Sequence, residues 1–141
     1  MFIAADPPPD EFVSRLFVRP SSNIVFGPPQ AGKSWAVMAL CLDAVMGGGN
    51  FMGCEDLYVK PLRDIRDGRP ERCLWVFGSE DTRSRVKRRL KILLDSGPHA
   101  GRDPPRGAFT IAAPSTSLHL PAGWDWLRQK VDETGATLLV L

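Results

Sequence analysis

Residues 25–35 read "VFGPPQAGKSW", and the rest of the chain is best understood outward from them. From Gly27 the order is Gly-x-x-x-x-Gly-Lys-Ser, the spacing of a phosphate-binding loop. The preceding Asn23-Ile24-Val25-Phe26 is mostly apolar and β-prone, which predicts a buried strand. The residues after Lys33 predict a helix. In such a strand–turn–helix unit Gly27 and Gly32 tolerate angles and close approaches that a Cβ would block. Backbone N–H groups turn inward, and the helix N-terminus adds unpaired donors and the positive end of its dipole. Lys33 offers a point charge to β- and γ-phosphates, and Ser34 offers a hydroxyl to Mg²⁺. Pro28 and Pro29 stiffen the loop but donate nothing, so the useful amides run through Gln30, Ala31, Gly32, Lys33 and Ser34. The competing reading is a Gly-Pro turn that precedes a helix for structural reasons alone.

Composition is that of an ordinary globular protein. The 141 residues, 43% hydrophobic and 24% charged, suit one domain or part of a larger one. A formal net charge of +2 names no partner by itself. The longest apolar stretch, residues 36–46, is interrupted by Asp43, so no membrane span is expected. Met1-Phe2-Ile3-Ala4 runs into Asp6 too soon for a signal peptide, which implies a cytoplasmic protein. Cys41, Cys54 and Cys73 are odd in number and widely spaced. They fit neither a zinc site nor a disulfide framework and are expected as reduced, buried thiols.

Along the chain, residues 1–15 read as a flexible Pro-rich entry in which Asp10 caps a short helix through Arg15, and Leu16-Phe17-Val18 as a small strand. Pro20-Ser21-Ser22-Asn23 is a turn. The helix after Lys33 is expected to reach Met46, with Trp35, Met38, Ala39, Leu42, Val45 and Met46 forming one core-facing stripe, and Gly47-Gly48-Gly49 stopping it. Residues 50–72 are irregular, with turn signals at Asp67-Gly68 and Arg69-Pro70. The continuous apolar run Cys73 to Phe77 predicts a fully buried parallel strand. A helix over 82–96 follows, with Val86, Leu90, Leu93 and Leu94 on one face and six basic residues elsewhere; a solvated face and a phosphate or nucleic-acid contact are both compatible with that pattern. A strand over 108–112, a helix over 124–133 with Trp124, Leu127 and Val131 on one face, a cap at Gly135 and the apolar strand "TLLVL" complete the order. Strand–helix alternation predicts an α/β fold with a largely parallel sheet.

A second acidic signal stands at the end of the strand 73–77. In open α/β sheets ligands bind at the carboxyl ends of the strands. Glu80 there is placed to orient an attacking water; Asp81 is the alternative, or a partner for Mg²⁺. Both also suit a plain cap on the following helix, whose N-terminus favours acids.

Taken together, residues 17–53, "LWVFGSEDTRSRVKRRL" at 74–90 and "TGATLLVL" at 134–141 resemble the RecA-like ATPases of the hexameric plasmid replicative helicase RepA type, within the AAA ATPases. The resemblance spans roughly residues 16–141. It implies a three-layer P-loop NTPase fold, incomplete at the C-terminus, that binds ATP and Mg²⁺ over Gly27, Pro28, Pro29, Gln30, Ala31, Gly32, Lys33 and Ser34. It implies Glu80 as the catalytic carboxylate with Lys33, Arg89 as a further nucleotide contact, and Ser34 and Asp81 on the metal side. It also implies a homo-oligomeric, hexameric ring acting on DNA. The family's strand of the "TLLVL" type is followed by an Asp, expected as the next residue after Leu141. That Asp, the later strands, the DNA-contacting loops and an arginine finger would lie beyond the chain, so the chain alone is expected to be weakly active or inactive. A nucleotide-gated module without turnover and a P-loop kinase are the alternatives.

Overall fold

The structure, a computed structural model, describes residues 10–14, 16–19, 22–60, 71–78 and 81–141. The entry 1–9, part of the 20–23 turn, the turn signals at Asp67-Gly68 and Arg69-Pro70, and Glu80 lie outside the described residues.

A parallel sheet is built from β5 (Cys73–Val76), β6 (Phe109–Ala112) and β7 (Leu138–Val140) in the order β6-β5-β7, with Cys73 opposite both Phe109 and Leu138. All four residues of β5 are buried, as a continuous apolar run on a central strand requires. Side-chain alternation sends them to opposite faces. Cys73 and Trp75 pack toward α1 (Lys33–Val45) and α2 (Arg83–Ser96), whereas Leu74 and Val76 pack toward Leu127 and Val131 of α3 (Pro121–Thr134). The result is three layers. The chain steps from β5 to β6 through α2, then back across β5 to β7 through α3. A constant crossover hand puts those two helices on opposite faces.

A second sheet is antiparallel, in the order β2-β1-β4-β3, from β1 (Asp10–Val13), β2 (Phe17–Arg19), β3 (Gly49–Asn50) and β4 (Tyr58–Val59). It covers the other side of α1, where Leu40 and Ala44 meet Phe12, Val13 and Val59. Helix α1 is therefore wedged between two sheets, and residues 38 and 40–46 are all buried. A helix apolar all round belongs in a core, which replaces the expected single stripe. Arg19 ties the sheets together: its Nη2 lies 2.6 Å from Glu71 Oε1, just before β5, and its guanidinium sits 4.3 Å from the Phe12 ring centre.

The largely parallel sheet thus holds for residues 73–140 only, and five other expectations are corrected. Residues 23–26 form no strand; Ile24 and Phe26 are 86% and 89% exposed. Both edges of β5 are taken by β6 and β7, so that segment has no place beside the central strand. Asp10 opens β1 rather than a helix, because Val13 finds a cross-strand partner in Val59. Helix α3 starts one turn early, at Pro121, where a missing N–H costs nothing. Its buried face is Gly123 and Leu127, and Trp124 is 56% exposed. A Cβ on Gly123 would lie 2.1 Å from the Ser117 carbonyl oxygen, so the close approach of the 117–118 backbone demands glycine. Cys41 and Cys73 are free and buried as expected, but Cys54 is exposed. Among the described residues no helix is long and apolar enough to cross a membrane.

Candidate nucleotide-phosphate site

The loop at the head of α1 has the geometry that its sequence calls for. Gly32 adopts the left-handed conformation, φ 85°, and serves as the N-cap without a side-chain hydrogen bond. Gln30, at φ 63°, is one of two described non-glycine residues in that region. Two left-handed residues in a short loop reverse the chain tightly enough to aim successive amides at one point. Ala31 N–H donates to the Pro28 carbonyl at 3.3 Å, and Ala36 N–H to the Gly32 carbonyl at 3.0 Å, the first helical bond. Among the described residues no backbone carbonyl accepts from the N–H groups of Lys33, Ser34 or Trp35. These are the donors that a helix start leaves for an anion.

Lys33 crosses its own loop. Its Nζ donates to the carbonyls of Gly27 at 2.8 Å and Pro28 at 2.7 Å. An ammonium has three donors, so one remains for a ligand. The side-chain stem passes 3.8 Å from where a Gly27 Cβ would stand. Ser34 follows with an exposed side chain. Residues 27–31 are exposed, Pro28 and Pro29 included.

The helices carry this loop to the carboxyl edge of β5. Met38, early in α1, packs with Trp75, late in β5, and with Val86 in the first turn of α2. Val45, the last residue of α1, and Met46 after it pack with Cys73, the first residue of β5. Helix α1 therefore runs antiparallel to β5, and its N-terminal loop and the head of α2 rim the same end of the sheet. Asp81 stands there. Its Oδ1 accepts from Thr82 N–H at 3.0 Å, and its Oδ2 accepts from Arg89 Nη1 at 2.8 Å. The cap of α2 is Thr82, whose Oγ1 accepts from Arg85 N–H at 3.2 Å. Asp81 and Arg89, both read as ligand contacts, are thus bonded to each other.

The residues present fit a triphosphate: free amides, a held lysine and a following serine converge at one helix start. For Mg²⁺ the fit rests on Ser34. Among the described residues no group of three His, Cys, Asp or Glu side chains could hold a metal.

A model of the AAA domain family matches residues 2–141. The chain belongs to the AAA domain family. No curated protein and no solved structure shows significant similarity to it. Membership of the AAA domain family carries a P-loop NTPase fold and a nucleotide-binding, ATPase-like function.

One cluster escaped the sequence reading. At the far end of α1, Asp43 Oδ1 lies 2.7 Å from His99 Nε2, with both side chains buried. Arg102 Nη1 stands 3.4 Å from His99 Nδ1, and its Nη2 donates to the Met46 carbonyl at 3.2 Å. Burial raises the Asp43 pKa, against the opposing pull of His99. Ten residues of helix, about 15 Å, separate Asp43 from Lys33, so this cluster ties α1 to the loop after α2 and takes no part in the phosphate site. The signal in the sequence was a lone acid inside an otherwise apolar helix, which implies a buried partner. A second hidden pair is Cys73 and Cys41. The hydrogen bond with Cys41 comes first, with burial next, in pushing the Cys73 thiol well above its usual range, which marks Cys73 as an inert thiol.

Proposed function

We propose that this AAA domain is the ATP-binding part of a RecA-like motor ATPase of the plasmid replicative helicase RepA type, hydrolysing Mg-ATP in a homo-oligomeric ring that acts on DNA. The observation that carries the reading is Lys33, held across the Gly27 and Pro28 carbonyls at the head of α1, on the carboxyl edge of β5. A fixed cation and convergent amides stabilise the charge that spreads over the transferred phosphoryl oxygens, at no cost of reorganisation. Ser34 is the residue that would hold Mg²⁺, which when bound neutralises charge between the β- and γ-phosphates. Glu80 is assigned the water. The bonds from Asp81 to Thr82 and Arg89 leave that carboxylate organising the head of α2.

The same engagement of Asp81 favours a second reading, a nucleotide-gated module that binds without turnover. Phosphate release at steady state from the full-length protein, with and without single-stranded DNA, separates the two. The motor reading expects turnover that Glu80→Gln lowers by about a hundredfold, the scale of a general base, while nucleotide affinity is kept. Nucleotide binding with no turnover, or turnover indifferent to Glu80→Gln, removes the motor assignment.

A further inference from the structure

Helix α2 carries six of the chain's 18 Lys and Arg residues. Arg83, Arg85, Lys87, Arg88, Arg89 and Lys91 fall within nine positions, yet the whole chain carries only +2, so the remainder is net negative. Three of the six are answered by acids: Arg85 and Arg89 by Asp81, at 3.7 and 2.8 Å, and Lys91 by Asp95 at 2.5 Å. Arg83, Lys87 and Arg88 are exposed and make no ion pair among the described residues. Arg83, Lys87 and Lys91 recur every fourth residue, in one line along the helix, with a rise of about 6 Å between charges. Arg88 stands beside that line.

The line borders a groove of about 410 Å³ between α2 and the loop that follows it. Lys87 and Lys91 line it from the helix and Arg102 from the loop; Leu90 and Leu94 line it too, as do Asp95 and Asp103. No aromatic side chain lines the groove. It therefore offers charge to a polymer backbone and no platform on which bases stack. Apart from Ile92, no large apolar side chain of α2 is among the strongly exposed ones. The apolar centre that marks a protein–protein interface is missing. Evenly spaced single charges of one sign suit a polymer of evenly spaced charges of the other.

We propose that this face of α2, with the groove beside it, binds the phosphodiester backbone of a nucleic acid without reading its sequence. The face begins at Asp81 and so continues from the edge that carries the phosphate loop, but it does not need nucleotide there.

The test measures fluorescence anisotropy of a labelled oligo(dT) strand, and separately of a labelled mixed-sequence duplex, with the nucleotide-free protein. Three phosphate contacts give a slope of about −2 for log K against log salt on a single strand, or roughly a 20-fold loss of affinity from 50 to 200 mM salt. Arg83→Ala with Lys87→Ala and Arg88→Ala should flatten that slope by about 2 and weaken binding at 50 mM salt at least about tenfold. Arg83→Lys with Arg88→Lys keeps the charge and should keep the binding. All of these side chains are exposed, so a melting curve matching the parent's certifies the fold. Preference between the two probes tells single strand from duplex. Unchanged affinity in the triple variant, or equal affinity for labelled poly-glutamate of matched length, overturns the proposal. Because nucleotide is absent throughout, failure here leaves the ATPase reading where it stood.

Discussion

Asp43→Ala is the perturbation whose size the structure fixes best. Asp43 and His99 are each 4% exposed, and their contact at 2.7 Å is shielded from water. Arg102 presents only donors to His99 Nδ1, so that nitrogen is the acceptor and the ring proton belongs on Nε2, pointing at Asp43. Removing the carboxylate strands this buried N–H. An unsatisfied buried group costs about 1–3 kcal/mol, and breaking a buried ion pair about 3–5. The stranded N–H sets the scale, so the expected loss is about 2–3 kcal/mol, or roughly 6–12 °C in melting temperature. Asp43→Asn keeps an acceptor for His99 and removes the charge, and should lose about 1 kcal/mol or less. The pH dependence has a definite sign. Burial raises the Asp43 pKa above the ordinary 3.8, so folding favours its protonated form. That contribution is full below the unfolded value and is lost as pH rises through the folded one. The parent should therefore lose stability relative to Asp43→Asn as pH climbs above 3.8. Urea denaturation followed by circular dichroism across that range measures both effects. An Asp43→Ala protein within about 0.5 kcal/mol of the parent, the range of ordinary surface changes, would refute the reasoning. So would a parent-minus-Asn difference that stays flat with pH.

Two further substitutions test α3. Leu127, 4% exposed against Leu74 and Val76, should cost about 2–5 kcal/mol on change to alanine, whereas Trp124→Ala, at a side chain 56% exposed, should cost far less; equal losses in urea denaturation would put the buried face elsewhere. Gly123→Ala should cost about 1–3 kcal/mol by overpacking against the Ser117 carbonyl, and an unchanged thermal melt would contradict that contact.

The elements legible in the sequence were those whose signal is local. Cys73 to Val76 is apolar without a break, and β5 is central; Val86, Leu90 and Leu93 repeat at helical spacing, and α2 follows them. The loop at Gly27 to Ser34 carries its own geometry in its glycines and lysine. What failed depended on partners distant in sequence. Ile24, Val25 and Phe26 are as β-prone as β5, but strand pairing is decided by neighbours, and β6 and β7 hold both sides of β5. Asp10-Glu11-Phe12-Val13 becomes a strand because Val59 lies beside it. The Asp43–His99 contact spans 56 residues, and no local pattern joins them. The early start of α3 was different: Pro121 at the first helical position was a local signal that the Trp124 pattern overrode.

We expect nucleotide phosphates to lie on the loop headed by Gly27, with Lys33 as their fixed cation. Titration of the protein with a fluorescent ATP analogue, parent against Lys33→Ala, tests it most directly. Lys33 bonds only to exposed loop carbonyls, which water can satisfy in its place, so the variant should melt with the parent. Its affinity should fall by about two orders of magnitude or more, the worth of one or two charge-assisted hydrogen bonds. Equal affinity in parent and variant, with both folded, would contradict the claim.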